Sequence, residues 1–147
     1  MKLLTLLITC LLLAFAGTGC ASTTSASTTS RKAPSANLQA LKTFYVAKLP
    51  ADERGINKVI ADQLNLNGLS AATGVNPLPA TPVDAVVTYQ DKWMWDITMY
   101  MIELNVQIRE TASGIIIASG RSYRPSLQRR PPAQMAQEVI DAIFSKP

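Results

Sequence analysis

The sequence predicts an α+β two-layer sandwich: a mostly antiparallel sheet of four to five strands with two helices on one face. Three observations carry that expectation. Ile102, Leu104, Val106 and Ile108 alternate with Glu103, Asn105, Gln107 and Arg109, the period of a strand buried on one face and solvated on the other. Ile56, Val59, Ile60 and Leu64 fall at helical spacing and form one apolar stripe. Met135, Val139 and Ile143, with Ala136, Ile140 and Phe144 beside them, make a second stripe behind Pro131-Pro132, and proline suits the first turn of a helix.

The remaining elements follow in chain order. Thr43 to Leu49 is β-branched and aromatic and stops at Pro50, which predicts a first strand. Asp52 is placed to cap the helix that follows, and Gly68 to end it in a left-handed conformation. A short strand is expected over Leu69 to Thr73. Gly74 to Pro82 holds three prolines and reads as loop. Asp84 to Trp93 resumes strand character. Beyond it the apolar parity changes, from odd at Ile97, Met99 and Met101 to even from Ile102 onward, as a bulge or turn would require. Thr111 to Gly114 reads as a hairpin turn, and Ile115 to Tyr123 as the returning strand. The predicted domain spans residues 41–147.

Composition narrows the chemistry. The chain has 147 residues, 48% of them apolar and 16% charged, enough to build a core. It contains no histidine, which excludes the serine and cysteine triads built on that residue and the commonest zinc ligand. Both cysteines, Cys10 and Cys20, lie in the first twenty residues, so neither a disulfide framework nor a cysteine metal site is expected. From Ala33 onward 11 cations face 10 anions; the basic balance belongs to the chain's start, and nucleic acid is not an expected partner. No cofactor or metal is implied.

Met1-Lys2 followed by the apolar run Leu3 to Ala16 reads as an export signal, too short to span a bilayer. Two cleavage readings stay open. Ala14-Phe15-Ala16 satisfies the small-x-small rule of an ordinary signal peptidase. Gly17-Thr18-Gly19-Cys20-Ala21 resembles the lipobox of bacterial lipoproteins, which implies acylation of Cys20, a signal over residues 1–19, and, from Ala21, sorting to an outer membrane. Residues 20–40 are rich in Ser, Thr and Ala and read as a flexible tether, about 25 Å in r.m.s. span and about 70 Å drawn out.

Tyr45-Val-Ala, Asp84-Ala-Val-Val-Thr-Tyr89 and Val139-Ile-Asp-Ala-Ile-Phe144, in this element order, resemble small bacterial lipoproteins of unknown function. Their fold is like the TolB amino-terminal and anticodon-binding-like domains of envelope lipoproteins. The resemblance implies a periplasm-facing accessory or assembly role and supplies no catalytic residues.

Candidate contact residues come from two places. Trp93 and Trp95 flank Met94 and share one face of a strand, a surface suited to a partner strand, a sugar ring or the lipid interface, or else to closing the end of the core. Arg121, Arg124, Arg129 and Arg130 lie between the last strand and the last helix and suit phosphate or carboxylate groups, or plain solvent. Asp91 and Asp96 are the one carboxylate pair that invites a glycan-hydrolysing reading. Surface charges beside a turn explain them as well. The expectation is therefore a lipid-anchored envelope protein, periplasm-facing at the outer membrane. It acts without catalysis as an accessory module for another envelope protein, the alternative being a module that binds or processes cell-wall glycan.

Overall fold

The computed structural model describes residues 25–34 and 36–145. Its elements are β1 (Ser27–Lys32), β2 (Thr43–Ala47), α1 (Ile56–Leu66), β3 (Ser70–Gly74), β4 (Ala85–Asp96), β5 (Thr98–Glu110), β6 (Ile116–Tyr123) and α2 (Pro132–Phe144). They form one six-stranded sheet in the order β1-β6-β5-β4-β2-β3, with both helices against the same face and against each other. The α+β class is as the sequence predicts. The sheet is wider than the four to five strands expected, and it is mixed: β2 runs parallel to both β3 and β4, while the other three pairings are antiparallel.

The extra strand is β1, which lies inside the stretch read as tether. Its sequence, Ser-Thr-Thr-Ser-Arg-Lys, has no apolar residue and hence no hydrophobic period to read. It forms because β6 would otherwise leave a row of backbone groups unpaired, and because its alternate side chains meet α2. Thr28 Oγ1 donates to Glu138 Oε2 at 3.3 Å, Ser30 Oγ donates to the Ala142 carbonyl at 2.8 Å, and Lys32 Nζ donates to the Ser145 carbonyl. A polar strand at an edge also resists pairing with other chains.

The core lies between the helices and the sheet. Ile56, Ile60 and Leu64 of α1 and Met135, Val139, Ile140 and Ile143 of α2 are fully buried against Phe44, Val46, Val87, Leu104, Val106 and Ile108. Each such side chain contributes about 1.5–3 kcal/mol by leaving water. Phe44 and Phe144 meet edge to face with ring centroids 5.9 Å apart. At Gly120 an added Cβ would stand 2.7 Å from Val139 Cγ1, so α2 rests directly on the backbone of β6.

Gly55, not Asp52, is the N-cap residue of α1. Asp52, four residues before Ile56, caps the start of the helix from a distance by accepting the N–H groups of Arg54, Gly55 and Asn57. Parallel strands are ordinarily covered on both faces, and here the proline-rich loop after β3 supplies part of that cover. Tyr45, on the face away from the helices, is buried and donates its hydroxyl to the Asn76 carbonyl at 2.9 Å.

Candidate functional site

Two surfaces of the described residues are candidates for contact. The first is the far end of the β4–β5 hairpin. Lys92 pairs with Glu103, but Trp93 pairs with Met101, so Ile102 bulges out of the ladder. That bulge is the parity change in the sequence, and it lets Met101 and Leu104 both face the core. Beyond it the hairpin runs on through the opposed pair Trp95 and Met99 to an apex at Ile97. Trp93 is half-buried and packed on the core. By contrast Trp95 is 69% exposed, Ile97 87% and Met99 47%, with Met94 exposed on the opposite side. Ile97 has φ 61°, a left-handed conformation that costs a β-branched residue about 1–2 kcal/mol and that Gly, Asn or Asp would adopt more cheaply. Folding alone gives no reason for an exposed isoleucine there.

This hairpin is held rigidly. Arg129 donates to Thr98 Oγ1 at 2.8 Å, to the Asp96 carbonyl at 2.9 Å, to Asp96 Oδ2 at 3.0 Å and to the Ser126 carbonyl at 3.0 Å. Its guanidinium lies 4.1 Å from the Tyr100 ring centroid. Arg54 lies over Trp93 in the same way at 4.4 Å. The loop that carries Arg129 also carries Leu127, 97% exposed.

The second surface is the open face of the antiparallel half of the sheet. Glu103, Asn105 and Gln107 of β5, Ser119 and Arg121 of β6, and Thr29 and Arg31 of β1 line up in cross-strand rows. Arg121 holds Glu103 through two bonds, Nε to Oε1 at 2.9 Å and Nη2 to Oε2 at 3.0 Å, and Asn105 Nδ2 adds a third at 2.8 Å. Those donors hold the Glu103 carboxyl well below its ordinary 4.5, at about 2. A hollow of about 380 Å³ lies over this region, lined by Thr29, Arg31, Asn105, Gln107, Ser119 and Arg121 among others. A neighbouring hollow of about 260 Å³ shares Asn105 and Gln107.

The structure does not gather the four arginines. Arg121 is on the open face. Arg124 is on the helix side, 2.7 Å from Glu138 and bonded to Thr28. Burial pushes the Glu138 carboxyl up, but Arg124, Ser122 and Thr28 together hold it below its ordinary value. Arg129 braces the hairpin, and Arg130 is exposed and bonded to Gln134. The two tryptophans do share a face, with only Trp95 free to touch anything else. Asp91 accepts from Trp93 Nε1, and Asp96 is paired to Arg129. Among the described residues no three His, Cys, Asp or Glu side chains come together as a metal site would require, and no helix is long and apolar enough to cross a membrane. Cys20 and the export signal lie outside the described residues.

Comparison with known structures decides the fold. PelC from Paraburkholderia phytofirmans, solved as a dodecamer, superposes with a TM-score of 0.62 at 11% identity, over 83% of this chain and 100% of PelC. The chain shares the fold of PelC. A dodecamer of a PelC variant from the same organism superposes at 0.57, with 13% identity, over 82% of this chain and 95% of that one. TolB from Acinetobacter baumannii is also similar, at 17% identity and a TM-score of 0.47; the match covers 84% of this chain and 32% of TolB. No protein-family model and no curated protein matches the sequence.

Proposed function

We propose that this chain is a lipid-anchored protein of the bacterial envelope, facing the periplasm at the outer membrane, that acts without catalysis as an accessory module binding another envelope protein. The anchor reading rests on Cys20, which follows an apolar run and small residues. The binding reading rests on one observation above the others: the open antiparallel face, whose polar side chains are already fixed in rows by the Arg121–Glu103–Asn105 bonds. A surface ordered before contact loses little side-chain entropy on binding. Holding it near its partner raises the local concentration, so that a modest affinity suffices. PelC crystallised as a dodecamer, which makes a second copy of this chain one of the partners to look for. Glycan binding is the alternative, favoured by the amides and hydroxyls around the 380 Å³ hollow and by Tyr123 beside Arg121.

In-cell photo-crosslinking from Gln107, exposed at the centre of this face, tests the reading. A discrete protein adduct is expected. A smear that collapses only with muramidase would transfer the face to cell-wall glycan. No adduct of either kind would contradict binding at this surface.

A further inference from the structure

The exposed hairpin end and the place where the chain enters the fold lie at the same end of the molecule. Ser27 pairs with Tyr123, Tyr123 with Glu103, and Glu103 with Lys92, so one row across the sheet joins the start of β1 to the last position at which β6 pairs with the hairpin. Past that row no further strand pairs with the hairpin among the described residues, from Trp93 to Asp96 and back to Met101. Trp93 and Met101 still pack on the core, and Arg129 braces the rest. Four residues of strand project about 13 Å. The chain before Ser25 runs back to Cys20 in five residues, which reach at most about 17 Å. A bilayer that holds Cys20 therefore lies within the hairpin's reach.

The side chains at that end suit such a surface. Trp95 and Met99 oppose one another, Ile97 stands at the apex, and Leu127 lies two residues before Arg129, which bonds the hairpin; all four apolar side chains are exposed. Behind them sit Tyr100 and Arg129, whose charge Asp96 balances, and Lys92 opposite Glu103. Apolar groups ahead of an aromatic ring and paired polar groups match the order of acyl chain and interface. The left-handed apex keeps an isoleucine where a turn residue would fold more easily.

Resting on the proposed acylation of Cys20, we infer that the β4–β5 hairpin end docks on the bilayer that holds the anchor, with Trp95, Ile97, Met99 and Leu127 in its interface. The anchor and the hairpin then fix two points of the domain. The domain stands at a set orientation, with the open face of the sheet turned sideways along the membrane.

The test uses the full processed chain in phosphatidylethanolamine and phosphatidylglycerol vesicles whose acyl chains are brominated near the headgroup. Intact mass spectrometry of the same sample reports whether Cys20 is acylated. The difference in tryptophan emission between the wild type and Trp95→Phe isolates the exposed indole and leaves the packed Trp93 in place. Docking about 5–10 Å into the interface predicts a Trp95 emission shifted to shorter wavelength and quenched by bromine. An acylated chain with unquenched, water-like Trp95 emission overturns the docking and leaves the anchor standing. A shifted but unquenched emission also overturns it, because protein and not lipid then covers the hairpin. A chain without acylation removes both readings together.

Discussion

Asp52 shows how one side chain holds two elements. Its carboxylate accepts three backbone N–H groups at the start of α1 and the Tyr89 hydroxyl of β4 at 2.6 Å. Burial pushes this carboxyl up, but the four donors together hold it below its ordinary value. The Tyr89 hydroxyl is pushed up, by burial first and by Asp52 next. Replacing Asp52 with Ala loses a helix cap and strands a buried hydroxyl, so urea denaturation should show a loss of about 2–4 kcal/mol; a loss under about 0.5 kcal/mol would contradict the role. The cap was legible, since Asp stands just before an apolar helical stripe. Its tie to Tyr89 was not, because a contact between distant residues leaves no local pattern. Glu103 offers a pH test. Its carboxyl is depressed, first by the bond from Arg121, so the stability it supplies is complete above its ordinary 4.5 and is lost as the pH falls through about 2. Glu103→Gln should flatten the acid side of the stability profile between those values, and an unchanged profile would show that the ion pair contributes nothing. The four arginines were visible as a cluster in sequence only because they are close along the chain; a strand and a loop carry them to different faces.

Among the elements, the helices and β2, β4, β5 and β6 were readable because each buries an apolar face at its own period. Even the bulge at Ile102 was foreshadowed by the switch in parity. β1 was not readable, because its cohesion comes from backbone pairing and from hydroxyls that reach α2. A tether and an edge strand predict different behaviour toward trypsin, which cleaves after Arg31 and Lys32. The strand predicts that these bonds are cut no faster than the domain opens, with cleavage rising in step with urea unfolding. Immediate cleavage of the native chain at Arg31 or Lys32 would return this segment to the tether. The apex of the β4–β5 hairpin was legible only in part. Trp95 stood out as a candidate contact residue, but exposed isoleucine and methionine look like core in a sequence, and only the register shows that the hairpin outruns the strands beside it.

For the whole molecule, the strand at residues 27–32 changes what an anchor would do. The sequence alone allowed a reach of about 70 Å from Cys20. With β1 in the sheet, about 17 Å separates Cys20 from Ser25 at most, so an anchored domain stays at the membrane and presents one end to it. The near-neutral charge of the domain fits contact by shape, apolar area and fixed hydrogen-bonding groups more than long-range attraction. Everything in this picture depends on the chemistry of Cys20. Intact mass spectrometry of the protein extracted from membranes tests it most directly. A mature chain that begins at Cys20 and carries the mass of a diacylglyceryl group and an amide-linked acyl chain is the predicted result. A chain that begins at Gly17 and carries an unmodified Cys20 thiol would contradict it.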